Sequence, residues 1–281
     1  LTSCSNFLTW HLDRGIHKNK IISPSNNTNQ PDVLQNKYNV SSTEIWSTST
    51  NDGVEGNTGY LRILKKNNTI YSVDSNGLLS AVSSDNGDII WQTSTNYNVS
   101  SGISLIDDKI CLGTVDAKLI CFNINSFKDV RHYPLITSIK NSTTFSKQAP
   151  DIKMNLLTEL ASPVLSINNL ILMKLDNDDL YLVDPLTEAI IWKTESQNIP
   201  LRTKGASIPL ILGDSVFIAR DNGSLSAYDK TTGMLQWLTI ISSRSGRNDL
   251  ESQRDAEMDI LANNDKLYYG HFQGELSSLN I

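Results

Sequence analysis

The 281-residue chain has no run of 18 apolar residues, few histidines and none of the compact catalytic motifs. Without such a run, the sequence predicts no membrane-spanning helix. Its histidines are dispersed and lack metal-ligand spacing; they are His11, His17, His132 and His271. There is no Gly-x-Ser-x-Gly elbow and no Asp-rich calcium loop. The sequence therefore predicts no metal and no cofactor, and we expect a protein that is not an enzyme.

Positive charge is also scarce. The chain has 24 Lys and Arg against 30 Asp and Glu, a formal net charge of −6, and a pI near 5.2. Charges of the two signs are interspersed and do not form blocks. This balance argues against nucleic acid or an anionic membrane as the partner surface.

One short pattern occurs five times: an apolar strand, a tight turn and a second strand, often followed by another turn and a tryptophan. The three clearest copies are residues 70–91, 171–192 and 216–237. Weaker copies are residues 110–130 and 267–281. A repeat of this kind is one supersecondary unit that must stack on its neighbours.

The spacing and local period identify the repeat as a propeller blade. The first turns centre on Gly77, Ala117, Asp178, Gly223 and Gly274, which lie 40, 61, 45 and 51 residues apart. Within each copy the apolar residues alternate with polar ones, and Asn-Gly between two such runs is a hairpin signal. Four-stranded blades of about 40–45 residues are typical of β-propellers. We therefore predict an all-β propeller of four-stranded blades, with about five to six blades represented.

Individual side chains fit this architecture. Tryptophans follow the second turn at Trp46, Trp91, Trp192 and Trp237, and we expect each ring to fill the wedge between adjacent blades. Acids open the first turn at Asp74, Asp176 and Asp221, where we expect hydrogen bonds to the backbone and no catalysis.

Two cysteines flank the turn of one hairpin. Cys111 and Cys121 lie symmetrically about Asp116, so they can face each other across two strands. We expect two buried thiols that act as small hydrophobes. A cross-strand disulfide is the alternative.

The repeated order of turn, strand and tryptophan resembles the pyrroloquinoline-quinone-like repeats of quinoprotein-type propellers. Within that group, the chain is most similar to the BamB family over about residues 40–281. Two non-repetitive segments carry that resemblance: SSRSGRNDLESQRDAEMDI at 242–260 and IPLRTKG at 199–205. The family propeller has eight blades, so the resemblance implies that closing blades are missing after Ile281 and that one sheet edge is open.

The beginning of the chain fits a lipoprotein. Leu1-Thr2-Ser3-Cys4 matches a bacterial lipobox, so we expect Cys4 to carry the acyl chains, and Ser5 resembles outer-membrane sorting. Residues 5–40 are rich in Ser, Asn, Thr and Pro and are predicted to be a flexible polar tether. The propeller domain is expected over 41–281, with an inserted surface loop at about 131–150 that includes His132 and Tyr133.

The family resemblance also implies a function. It predicts a non-enzymatic scaffold, lipid-anchored at the periplasmic face of the outer membrane. Its partners would be the periplasmic domains of BamA, other assembly-complex subunits and unfolded outer-membrane proteins. The alternatives are a quinone-dependent periplasmic dehydrogenase or another propeller interaction module, such as a sensor or adhesion module.

Two neighbouring loops supply the BamA contact in the family. The matching positions are Ile199, Leu201, Arg202, Asp255 and Glu257. Ile199 replaces a leucine and Glu257 replaces an aspartate of the family pattern, and both keep its chemical character. Alternatively, Arg202 and Asp255 form only an internal pair that braces the loops.

Overall fold

The computed structural model describes residues 43–50, 61–127, 149–196, 207–241, 258–271 and 276–281. These residues form 19 β-strands and one short 3₁₀ turn, Ile124–Phe127. The strands are arranged in five antiparallel sheets, each made of consecutive strands. The all-β prediction is confirmed.

We number the sheets as blades 1 to 5 in chain order. Blade 1 comprises β1 (Leu64–Lys66), β2 (Thr69–Val73), β3 (Leu78–Ser83) and β4 (Ile89–Ser94). Blade 2 comprises β5 (Ser104–Ile106), β6 (Lys109–Thr114), β7 (Lys118–Asn123) and β8 (Ile152–Asn155). Blade 3 comprises β9 (Leu165–Ile167), β10 (Leu170–Lys174), β11 (Leu180–Val183) and β12 (Ile190–Thr194). Blade 4 comprises β13 (Leu210–Leu212), β14 (Ser215–Ala219), β15 (Ser224–Asp229) and β16 (Leu235–Ile240). Blade 5 has three strands in the described part of the chain, β17 (Leu261–Asn263), β18 (Lys266–Gly270) and β19 (Leu276–Asn280).

The turns between the two central strands share one backbone conformation. The residues at the aligned turn position all have positive φ: Gly77 at 82°, Ala117 at 54°, Asp178 at 67° and Gly223 at 81°. The predicted hairpin turns are therefore confirmed at these four positions, while Gly274 lies outside the described residues. Glycine adopts this conformation without a Cβ clash, which explains its use in two of the four turns.

An aspartate closes the first of these turns, as predicted. The Asp74 carboxylate accepts a hydrogen bond from the Leu78 backbone N–H at 2.8 Å, and the Gly77 N–H donates to the Asp74 carbonyl at 3.1 Å. Asp74 therefore stabilises the turn through the backbone.

The core lies between the blades. Four clusters of buried apolar side chains each join two consecutive blades. Representative pairs, in blade order, are Tyr71 with Phe122, Leu119 with Met173, Leu182 with Ile218, and Phe217 with Leu267. Blades 2, 3 and 4 thus pack on both faces, and blades 1 and 5 each pack on one face in these clusters, which is how stacked propeller blades are stabilised.

The tryptophans fill the wedges between blades, as predicted. In blade 3, Trp192 donates its Nε1–H to the Lys230 carbonyl of blade 4 at 3.1 Å, and its ring covers Gly233. Trp46 makes the same contacts with blade 1, donating to the Ser84 carbonyl at 3.1 Å and covering Gly87. In both pairs the donor precedes the acceptor by 38 residues.

The other two tryptophans pack against aromatic neighbours. The Trp91 ring centroid lies 5.1 Å from that of Phe127 in blade 2. Trp237 lies 5.8 Å from Phe217 and packs on the cluster between blades 4 and 5. The edge strands that carry these rings therefore contribute to the core.

The cysteine prediction was wrong in its preferred form. Cys111 and Cys121 form a disulfide, and both are buried. They stand directly opposite each other in the β6–β7 register, with Cα atoms 4.1 Å apart. Because directly opposed residues can approach this closely in an antiparallel pair, the two sulfurs meet inside the core and bond.

Candidate partner-binding site

The links between blades emerge at one end of the sheets. Because successive strands run antiparallel, each link leaves at the same end as the turn between the two central strands. Backbone hydrogen bonds show this proximity: the Thr95 N–H donates to the Gly77 carbonyl at 2.9 Å, and the Ile241 N–H donates to the Gly223 carbonyl at 3.0 Å. We call this end the linker end.

Both predicted binding segments lie in the sequence between the last strand of one blade and the first strand of the next. Residues 197–206 join β12 to β13, and residues 242–257 join β16 to β17. They are therefore successive links on adjacent blades. The predicted contact residues themselves lie outside the described residues; they are Ile199, Leu201, Arg202, Asp255 and Glu257.

Cys4 and the proposed tether also lie outside the described residues, as do His132 and Tyr133 of the predicted insertion.

The residues after the two segments are joined directly. Asp259 accepts a hydrogen bond from the Ile208 backbone N–H at 2.9 Å through Oδ1. Its other oxygen, Oδ2, is paired with the Arg62 guanidinium. Next to these residues, Ser207 and Ile260 are buried. The ends of both segments are therefore attached to the same part of the core.

The chain before the first segment is held by blades 3 and 4. The Ser196 N–H donates to Asp179 Oδ1 at 2.7 Å. The Thr194 hydroxyl accepts from Arg220 Nη2 at 3.0 Å. Described residues thus fix the backbone on both sides of residues 197–206.

A buried network of charges underlies these contacts. Lys174 and Asp178, with 0% and 1% of their side chains exposed, pair at 3.2 Å. Lys174 Nζ also donates to the Ala219 carbonyl at 3.2 Å, and Asp178 Oδ2 accepts from the Asp221 N–H at 2.7 Å. Arg220 donates to the Asp178 carbonyl at 2.7 Å. The network joins the central turns of blades 3 and 4.

Sequence reasoning missed this network. Its signal is a basic residue beside each turn, in MKLDND and IARDNG. A cation at the end of an otherwise apolar strand is costly to bury unless a partner satisfies it. Here Lys174 pairs with Asp178 of its own turn and donates to a carbonyl of blade 4, and Arg220 donates to the Asp178 carbonyl of blade 3.

An exposed ion pair lies just before the first segment. Lys193 and Glu195 are 2.6 Å apart on the surface. The hydrogen bond and the charge of Lys193 lower the pKa of Glu195, and the same contact raises the pKa of Lys193. Solvent and salt screen such a pair, so it adds little to stability.

A cavity in the described part of the chain is small and has an uncharged lining. Its volume is about 210 Å³, and it is lined by Thr69, Tyr71, Ile90, Trp91 and Ile124, none of which carries a charge. Burial raises the pKa of Tyr71. Among the residues that the structure describes, no group of three or more His, Cys, Asp or Glu is placed to hold a metal ion. In the same part of the structure, no helix is long and apolar enough to cross a membrane.

The stacked four-stranded blades and the inter-blade tryptophans define a β-propeller fold. The family of the outer membrane protein assembly factor BamB matches residues 76–281, and the chain belongs to this family.

Individual relatives agree with this assignment. The chain is 23% identical over 259 residues to outer membrane protein assembly factor BamB of Yersinia pestis, covering 88% of this chain and 60% of that protein. It is 25% identical over 258 residues to BamB of Legionella pneumophila, covering 91% of this chain and 62% of that protein. The crystal structure of BamB from Moraxella catarrhalis aligns with a TM-score of 0.63 at 18% identity, covering 78% of this chain and 60% of that one.

These relatives are longer than the chain. The chain spans about three-fifths of the length of the curated relatives it matches. The likeness to the Moraxella structure establishes the propeller fold.

Proposed function

We propose that this chain is a non-enzymatic scaffold subunit of the outer-membrane protein assembly complex. It binds the periplasmic domains of BamA through residues 197–206 and 242–257 at the linker end. In this role it assists the folding and insertion of unfolded outer-membrane β-barrel proteins beside the other subunits of the complex.

The family match over residues 76–281 carries this proposal, because the match includes both linker-end segments. The relatives named above are outer membrane protein assembly factors. A further argument is geometric: the two segments are successive links, and a hydrogen bond between Asp259 and Ile208 joins the residues that follow them.

The chemistry of the five candidate residues suits a partner interface. Ile199 and Leu201 offer an apolar anchor beside the Arg202 guanidinium, and such anchors supply most of the affinity of an interface. Asp255 and Glu257 either orient Arg202 or meet basic groups of the partner. Binding of this kind needs rigid placement, which the stacked blades provide.

Alanine substitutions at Leu201 and Arg202 test the proposed contact. We expect each to weaken binding to purified BamA periplasmic domains at least about tenfold, a loss of about 1.4 kcal/mol, with a nearly unchanged thermal melt. Leu186→Ala is the matched control, since this leucine is 87% exposed in a turn at the opposite end. Undiminished binding removes the two residues from the site, and equal losses of stability and binding favour the bracing role of Arg202.

We also propose that Cys4 is lipidated and that residues 5–40 tether the propeller at the periplasmic face of the outer membrane. The Cys111–Cys121 disulfide supports an extracytoplasmic site, because disulfides persist mainly in oxidising compartments. In the full precursor, Cys4→Ala should move the protein from the membrane fraction to the soluble periplasmic fraction. A variant that still sediments with membranes at high salt argues against the anchor.

A further inference from the structure

In blades 1 to 4, one row of three residues packs on the blade that follows. The three residues stand opposite one another on the second, third and fourth strands of the blade. We call these the wedge rows, because they belong to the apolar clusters between blades. In blade order they are Tyr71–Ala81–Trp91, Cys111–Cys121–Ile152, Leu172–Leu182–Trp192 and Phe217–Ala227–Trp237.

The wedge row of blade 2 differs from the other three. Its outer strand carries Ile152 where the other blades carry tryptophan, and no tryptophan occurs between residues 92 and 191. An isoleucine side chain covers much less area than an indole ring. In the same row, a disulfide joins the two central strands where blades 1 and 4 have an aromatic residue opposite an alanine. Blade 2 therefore has a covalent bond where the other wedges have a large ring.

The disulfide is enclosed between blades 2 and 3. Cys111 and Cys121 are 1% and 0% exposed, and they belong to one cluster with Met154 of their own blade and Met173 of blade 3. Thiol–disulfide exchange requires direct attack of a thiolate on one of the two sulfurs. A reagent can therefore reach them only while this junction is open, so the thiols must be oxidised before blade 3 covers blade 2.

We propose that the Cys111–Cys121 disulfide makes the packing of blade 2 on blade 3 dependent on oxidation, and that it supplies the stability which a tryptophan provides in the other wedge rows. Formation of the Sγ–Sγ bond removes two protons and two electrons from the two thiols. An oxidant that carries a disulfide accepts them and becomes a dithiol. Because the cross-link restricts the unfolded β6–β7 hairpin, its loss should destabilise blade 2 before the other blades. This inference does not depend on the proposed binding to BamA.

Hydrogen exchange of the full chain in its oxidised and reduced forms tests the proposal. The reduced form is prepared with dithiothreitol in urea and is refolded with the reductant present. Strands β6 and β7 report on blade 2, and strands β14 and β15 of blade 4 are the internal control. Cys111→Ala/Cys121→Ala lacks both sulfurs, whereas Cys111→Phe/Cys121→Ala/Ile152→Trp installs the wedge row of blade 4.

We expect reduction to speed exchange in β6 and β7 roughly tenfold or more, and in β14 and β15 less than about twofold. The double-alanine variant should exchange at least as fast as the reduced wild type and should not respond to dithiothreitol. The triple variant should exchange in β6 and β7 within about threefold of the oxidised wild type, again with no response to the reductant. Alkylation and mass measurement should show that dithiothreitol reduces the folded chain at least about a hundredfold more slowly than the chain in urea.

Equal exchange in the oxidised and reduced wild type overturns the proposal, because the bond then adds nothing to the junction. Equal acceleration in blades 2 and 4 also overturns it, since the disulfide would then stabilise the whole chain and not one junction. Reduction at the same rate in the folded chain and in urea contradicts the shielding of the sulfurs by blade 3. If the triple variant does not fold, the comparison of oxidised and reduced wild type still decides the question.

Discussion

Replacing Lys174 with methionine removes the only cation paired with Asp178 among the contacts described above. Both side chains are essentially inaccessible to solvent and lie 3.2 Å apart. Removing one partner of a buried pair leaves an uncompensated charge, which costs about 3–5 kcal/mol. The Ala219 carbonyl also loses its donor, although the Asp221 N–H remains bound to the carboxylate. We therefore expect Lys174→Met to lower the free energy of unfolding by about 3–5 kcal/mol.

Urea unfolding followed by tryptophan fluorescence measures this loss. Asp178→Asn keeps an acceptor for the Asp221 N–H, and the double variant removes both charges. We expect the double variant to lose at least about 2 kcal/mol less than the sum of the single variants. Lys193→Met is the control, since both side chains of the Lys193–Glu195 pair are exposed and the loss of this pair should leave the free energy of unfolding nearly unchanged. Additive effects, or a loss below about 1 kcal/mol for Lys174→Met, refute the reasoning.

Two further predictions concern turns between the third and fourth strands and at the start of blade 4. Gly213→Ala introduces only backbone strain at φ 60°, with no atom within 4 Å of the new Cβ, and should cost about 1 kcal/mol. Gly233→Ala, at φ 70°, also places a Cβ 2.7 Å from the Trp192 ring, so we expect it to lower the free energy of unfolding by about 1–3 kcal/mol more than Gly213→Ala, as measured by urea unfolding. Equal losses for the two variants argue against close packing of Trp192 on this turn. The Thr232 backbone N–H, followed by the Thr232 hydroxyl, lowers the pKa of Asp229. The ionised Asp229 carboxylate therefore stabilises the fold above the unfolded pKa of about 3.9, and this contribution is lost as the pH falls through the lower native pKa. We expect Asp229→Asn to make the free energy of unfolding depend less on pH below about pH 4. An unchanged acid profile contradicts this.

The repeats made the blade architecture predictable. Period-two strands and turn residues with positive φ are local properties, so Gly77 and Gly223 could be placed in hairpin turns from a few neighbouring letters. Tryptophans after the second turn had to lie on edge strands, and burial of so large a ring required a neighbouring blade.

Contacts between distant residues were not predictable in this way. The symmetric spacing of Cys111 and Cys121 indicated that they face each other. Only the structure, in which their Cα atoms lie 4.1 Å apart, distinguishes the disulfide from two free thiols. The Asp259–Ile208 hydrogen bond joins residues 51 positions apart, with no local pattern to mark it. The five predicted partner-contact residues remain a prediction.

The environments of the inter-blade tryptophans Trp192 and Trp46 also depend on whether the neighbouring blade is folded. Trp192 donates to a carbonyl of blade 4, and Trp46 donates to a carbonyl of blade 1, so loss of either acceptor blade exposes a ring attached to a different part of the chain. Unfolding should then spread by nearest-neighbour coupling, as in a one-dimensional array. Variants that keep a single tryptophan would show the order in which the blades unfold, because the fluorescence of Trp46 reports on blade 1 and that of Trp192 reports on blade 4.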